Sequence, residues 1–255
     1  MPSFSEIIKG EALLLKTAFK REGFWYVLRE GCKYVFGWPI RIGTVTWLRL
    51  TRGNAAFVFR GREYRYLYHS YNYTWQNDRT FEIPLCWSMV QENAGKHILE
   101  IGNVLRHYFD CRHDVVDLFE EYPGIINLDI IEFFPREKYD FVISISTFEH
   151  IGWDENPRHP PKLLSAIDHV KENVLTPGGK LVITVPLGQN TELDKYLFNG
   201  KVPFSYINCM KQYDSKKNLW QEATWEDILK NEFDLEGRWQ VSQHINLILE
   251  FNKPA

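Results

Sequence analysis

Apolar residues recur along this chain with two different periods. In residues 4–36, Phe4, Ile8, Leu15 and Phe19 fall at roughly helical spacing with Ile7, Leu14 and Ala18 beside them, which predicts a helical segment. Gly23 breaks or bends it, and Gly37-Trp38-Pro39 ends it, because the residue before a proline avoids helical geometry. Over residues 40–75 the residue types favour strands, among them Val45, Trp47 and Thr51. Phe57-Val58-Phe59 and residues 64–68 flank Arg60-Gly61-Arg62, a hairpin turn, with Tyr64, Tyr66 and Tyr68 alternating onto one face. Residues 72–78 read as a loop, and residues 82–91 as a short helix.

After that the chain alternates strand and helix. Apolar strands are predicted at residues 97–101, 115–117, 141–145 and 181–185. A helix over residues 161–174 carries Leu163, Leu164, Ile167, Val170 and Val174 on one stripe, and Pro177-Gly178-Gly179 turns the chain back into the sheet. Thr224 to Asp227 spells a capping box for a helix through Lys230, and residues 245–251 form a closing strand. Short apolar strands alternating with helices imply a mostly parallel sheet covered on both faces. The expected fold is therefore α/β, with a mostly parallel sheet carrying helices on both faces. An N-terminal helical and β-hairpin extension over residues 1–90 precedes a ligand-binding domain over residues 91–255.

Composition narrows the class. The hydrophobic fraction of 44% over 255 residues is enough for one full α/β core, which excludes a mainly disordered chain. No apolar run is long enough to span a bilayer, and Lys9, Glu11 and Lys16 interrupt any signal-peptide pattern, so a cytoplasmic location is expected. Cys32, Cys86, Cys111 and Cys209 are scattered, which fits free thiols rather than a disulfide framework or a zinc site. Residues 1–70 hold twelve Lys and Arg against five Glu, a balance of +7 within a chain of net charge −3. That asymmetry makes the N-terminus a candidate for peripheral membrane contact or for phosphate groups. With a pI near 6.3, no nucleic-acid partner is expected.

In a parallel α/β sheet, ligands bind outside the carboxyl ends of the strands. Here the first such end carries Glu100-Ile101-Gly102-Asn103, and glycine there lets backbone approach a ligand closely. The second ends at Asp117, an acceptor suited to paired ribose hydroxyls; Asp129 and Ile130 follow, and then Ile145-Ser146-Thr147-Phe148-Glu149-His150. Glu100-Ile101-Gly102 resembles the start of motif I of class I S-adenosylmethionine (SAM)-dependent methyltransferases. Residues 139–144 with Phe148-Glu149-His150 resemble that family's fourth motif, and residues 175–181 the loop into its fifth strand. Combined, these cover roughly residues 96–186.

The resemblance implies a Rossmann-like, seven-stranded, mostly parallel sheet and SAM as cofactor. It places Gly102, Asn103, Ile145 and Ser146 near the methionine part of SAM, Asp117 at its ribose, and Asp129 and Ile130 at its adenine, with Glu100 also counted among the cofactor-binding residues. Arg79 is expected to close over the cofactor or its carboxylate. His150 is the candidate general base, since histidine exchanges a proton nearest neutral pH, and Glu149 orients it or binds acceptor hydroxyls. No metal is expected, although Asp154 and Glu155 follow His150 closely. A nicotinamide dinucleotide is the competing cofactor, and the missing GxGxxG argues against it. Residues 72–84, the Glu-Ile-Gly-Asn-Val-Leu stretch at 100–105 and the Gly-Trp-Asp-Glu after His150 resemble methyltransferases of bacterial surface-glycan pathways. That implies O-methylation of a sugar or nucleotide-linked sugar. The alternatives are N-methylation or another small metabolite, and a non-catalytic scaffold at a membrane surface.

Overall fold

The computed structural model describes residues 39–201, 204–231 and 244–255. The helix expected over residues 4–36, and Cys32 within it, lie outside the described residues. Residues 39–52 form a helix (α1), not the strands expected there. The reason is packing: Arg41, Val45 and Leu48 recur at helical spacing and are all buried, which overrides the strand preference of Val45 and Thr51.

Next comes the expected hairpin, β1 (Ala56–Phe59) and β2 (Arg62–Arg65), paired antiparallel with Phe59 opposite Arg62. Its two central residues, Arg60 (φ 51°) and Gly61 (φ 74°), are both left-handed, as a two-residue hairpin loop of matching twist requires. Tyr64 and Tyr66 both pack on Phe57, with ring centroids 5.4 and 5.2 Å away. A kinked 3₁₀ segment, Tyr71–Gln76, leads into helix α2 (Arg79–Glu92), longer than expected at its start.

The main sheet comprises β3 (Ile98–Ile101), β4 (Asp114–Val116), β5 (Tyr139–Ile145), β6 (Leu175–Pro186), β7 (Tyr206–Asp214), β8 (Leu219–Ala223) and β9 (Ile245–Asn252). Their spatial order is β4-β3-β5-β6-β9-β7-β8. The first four are parallel neighbours, β9 runs against both β6 and β7, and β8 runs against β7, so five of the seven strands point one way. The expected seven-stranded α/β sheet is present. Helix α3 (Lys162–His169) continues into a single π turn (Val170–Val174), and α4 (Thr191–Phe198) follows β6. Thr224 caps the next helix as expected: Asp227 N donates to Thr224 Oγ1 at 3.1 Å at the start of α5 (Trp225–Asn231).

Both faces of the sheet are covered. On one, α3 and α4 pack over Leu99, Val142, Leu181 and Leu247. On the other, the hairpin and α2 pack Phe57, Phe59, Phe81 and Leu85 against Ile143, Ile145, Val182 and Trp220. The hairpin and α2 therefore share a core with the sheet. Among the described residues, no helix is long and apolar enough to cross a membrane.

Candidate functional site

From β3 the chain moves to β4 on one side and then crosses to β5 on the other. Such a reversal opens a crevice at the carboxyl ends of β3 and β5, where doubly wound sheets hold ligands. The residues placed there are Gly102 and Asn103 after β3 and residues 146–150 after β5. Gly102 has φ +88°, and a Cβ there would stand 2.3 Å from Thr147 Oγ1. Glycine is thus required twice, for its backbone angle and for the close passage of the two strand ends.

The turn after Gly102 differs from a phosphate-binding turn. Instead of a helix it makes one 3₁₀ turn, Leu105–His107. The backbone N–H groups of Val104 and Leu105 donate to Glu100 Oε1 at 2.9 and 2.8 Å, and Glu100 Oε2 lies 2.7 Å from His113 Nε2. Glu100 is fully buried. Expected at the cofactor, it instead lies behind the turn and shapes it. Asp117, just past β4, accepts from Asn103 N at 3.0 Å through Oδ2 and from Phe119 N and Glu120 N at 2.8 and 2.7 Å through Oδ1. The Gly102 and Asp117 turns are therefore joined. Asn103 is buried, and its Oδ1 has no hydrogen-bond partner among the described residues.

Beneath the crevice lies a polar cluster centred on Glu82, which is 0% exposed. Its Oε1 accepts from Ser146 Oγ at 2.6 Å, from Thr184 Oγ1 and from Asn246 Nδ2, while Oε2 faces the Arg79 guanidinium at 3.2 Å. Arg79 also donates to the Ile145 carbonyl at 3.2 Å. Burial raises the Glu82 carboxyl above the ordinary range, and Arg79 opposes that rise. The cluster gathers Arg79, Ile145 and Ser146, with Arg79 an internal partner of Glu82. Glu82 itself was read only as a helix start; its place three residues after Arg79 in a helix was the available signal.

Glu149 is 2% exposed, and its Oε2 has no hydrogen-bond partner among the described residues. Burial holds its carboxyl well above the usual carboxylate range. His150 follows, half exposed, with Nδ1 2.5 Å from Asp154 Oδ2 and Nε2 3.8 Å from Glu149 Oε1. Asp129, expected at the adenine, pairs with Lys162 and caps Ile131 N at 3.2 Å, and Ile130 is buried. Glu155 is held by Lys162 at 2.6 Å and by Gly152 N at 3.0 Å, so it does not join Asp154 and His150. No metal-holding group of three ligand side chains occurs among the described residues.

An aromatic wall missed in the sequence borders these groups. Tyr71 stacks on His107 at 4.2 Å and meets Tyr108 edge-on at 5.5 Å. His107 reaches Glu120 at 3.3 Å, next to the Asp117 turn. The Tyr108 hydroxyl is buried with no hydrogen-bond partner among the described residues, and burial raises its pKa.

No protein-family model and no curated protein matches the chain. Solved structures do. The N-methyltransferase NodS from Bradyrhizobium japonicum WM9, in complex with S-adenosyl-L-homocysteine, is 14% identical over 70% of this chain and 94% of its own, with a TM-score of 0.39. A SAM-dependent methyltransferase from Clostridium acetobutylicum ATCC 824 is 13% identical over 69% and 93%, at 0.36. The 1,6-didemethyltoxoflavin-N1-methyltransferase of Burkholderia thailandensis is 13% identical over 74% and 84%, at 0.37. The fold stands on the strand order of this chain.

Proposed function

We propose that this protein is a SAM-dependent methyltransferase whose cofactor lies across the carboxyl ends of β3 and β5. One observation carries the reading: the Val104 and Leu105 N–H groups that would cradle a phosphate are already taken by Glu100. A dinucleotide would bring its diphosphate to a turn without those donors and beside the Asp117 carboxylate, whereas a sulfonium with its ammonium group meets there a charge of opposite sign. The residues present fit that group. Asn103 Oδ1 is a buried acceptor awaiting a donor, and Asp117 closes the turn where a ribose would lie.

When bound, SAM supplies an electrophilic methyl group and a neutral thioether leaving group. The chain then has to hold the acceptor in line and take its proton. His150 suits the second task. Asp154 engages Nδ1 at 2.5 Å, which leaves Nε2 as the nitrogen that accepts a proton from an acceptor hydroxyl, and the half-exposed ring is open to an incoming molecule. Glu149, at 3.8 Å from Nε2, offers an unsatisfied oxygen to the same acceptor.

The acceptor favoured is a hydroxyl of a sugar or sugar nucleotide in surface-polysaccharide synthesis in the cytoplasm. The motif resemblance and the Tyr71–His107 stack, a flat surface for a ring, support this. An amine acceptor is the second reading, favoured by the unpartnered buried Glu149. Calorimetric titration with SAM tests the core of the proposal: saturable binding by the intact chain is expected, and its absence would leave the non-catalytic scaffold as the better account. With binding in hand and an acceptor identified, His150→Ala is expected to lower kcat by roughly 100-fold or more at unchanged cofactor affinity. Unchanged turnover removes His150 from the reaction.

A further inference from the structure

The amino-acid end of SAM carries an ammonium and a carboxylate, and the two need hydrogen-bond partners of opposite kind. Asn103 Oδ1 is an acceptor, which suits the ammonium. The carboxylate needs donors, and those nearest at hand are spent. The N–H groups of Val104 and Leu105 go to Glu100 Oε1 at 2.9 and 2.8 Å, and that of Asn103 goes to Asp117 Oδ2 at 3.0 Å. Arg79, expected at the carboxylate from the sequence, faces Glu82 at 3.2 Å and donates to the Ile145 carbonyl.

Tyr108 carries a donor that is not spent. It closes the 3₁₀ turn after Gly102, its N–H donating to the Leu105 carbonyl at 2.9 Å. Edge contacts with His69 and Tyr71, centroids 5.1 and 5.5 Å away, set its ring. Its hydroxyl is buried with no hydrogen-bond partner among the described residues, whereas a buried tyrosine hydroxyl usually finds one. The charge that acts on it most strongly is the Arg79 guanidinium, which is anchored to the carboxyl end of β5 through Ile145. The hydroxyl thus belongs to the turn after β3 and feels a cation fixed at the end of β5. Asp78 and Glu82 act on it in the opposite sense, but neither accepts its proton. Asp78 is held by Asn246 Nδ2 at 2.8 Å, and Glu82 by Arg79, Ser146, Thr184 and Asn246.

We propose that Tyr108 Oη donates to the carboxylate of the cofactor's methionine part while Asn103 Oδ1 takes its ammonium, so that one short turn reads both charges of an amino-acid head. This rests on the cofactor reading above and adds to it a binding residue. A ligand that donates and accepts there recovers what the two unpartnered atoms cost the empty protein.

The test is calorimetric titration of the full chain and of Tyr108→Phe with two ligands. S-adenosylhomocysteine keeps the amino-acid head, and 5′-methylthioadenosine lacks it. Phenylalanine preserves the ring and removes only the hydroxyl. The variant is expected to bind S-adenosylhomocysteine about tenfold or more weakly, as loss of a hydrogen bond to a charged group implies, and to bind 5′-methylthioadenosine as the parent does. Its melting midpoint without ligand is expected to equal or exceed the parent's, because an unpartnered buried hydroxyl has gone. The proposal is overturned if the two chains bind S-adenosylhomocysteine alike, or if both ligands weaken together. A lowered midpoint also overturns it, since the hydroxyl would then serve the fold. A parent chain that binds neither ligand removes the cofactor reading and this proposal with it; a parent that binds S-adenosylhomocysteine no better than Tyr108→Phe does removes this proposal alone.

Discussion

Two regions of the crevice are built on opposite principles. At the Asp117 turn every carboxylate oxygen meets backbone N–H groups, and Glu100 behind it is equally satisfied. At the Glu82–Glu149 side, Glu149 Oε2 and Tyr108 Oη are buried without a hydrogen-bond partner among the described residues. A satisfied carboxylate holds backbone in place and is expendable only at a cost to folding. An unsatisfied buried one costs the empty protein free energy, and a ligand that donates to it recovers that cost. The contrast assigns positioning to the first region and recognition to the second.

The largest effect is expected where a charge would be stranded. Arg79→Met leaves Glu82 buried without its counter-charge, and a loss of about 3–5 kcal/mol in urea unfolding is expected; a loss within error would show that Ser146, Thr184 and Asn246 suffice to hold Glu82. Next comes Gly102→Ala, expected to cost about 3 kcal/mol, from the strained backbone angle together with the clash at Thr147. Adding Thr147→Ala should restore only the steric part of that loss. Equal stability of the single variant and the parent would mean that the two strand ends do not pass as closely as described.

Asp117→Asn is expected to lower stability by about 1–3 kcal/mol even without cofactor, since an amide cannot accept from all three N–H groups. If unfolding is unchanged and only cofactor affinity falls, Asp117 belongs with the recognition groups instead. The smallest effect is expected at Glu149. Its folded pKa lies above its ordinary value of 4.5 because burial disfavours the charge, so the folded state keeps the proton longer than the unfolded one. Its contribution is then most favourable at acid pH and is lost as pH rises through the folded value. Glu149→Gln should therefore raise the melting midpoint at alkaline pH, with the gain fading toward pH 4.5. A gain independent of pH would contradict a buried, titrating carboxyl.

The sheet was legible because its strands are short apolar runs bounded by Gly, Pro and Asp. Helix α1 was misread because Val45, Trp47 and Thr51 favour strands locally, and only the burial of Arg41, Val45 and Leu48 along one stripe reveals the helix. Residues 186–223 gave no reading for α4, β7 or β8; β7 alternates weakly, with Lys211 and Gln212 beside Cys209 and Met210. The Glu82 cluster joins residues up to 164 positions apart, through Asn246, and no local pattern records such a meeting. Glu100 and Asp129 were chosen by type and position, but their oxygens had nearer partners in their own turns or, for Asp129, in Lys162.

The most direct test is a crystal structure of the chain soaked with S-adenosylhomocysteine. The account predicts the ribose beside the Asp117 turn, a hydrogen bond to Asn103 Oδ1, and the sulfur on the side of Ser146 and His150. A ligand bound elsewhere, or a crevice that stays closed by its own side chains at saturating ligand, contradicts it.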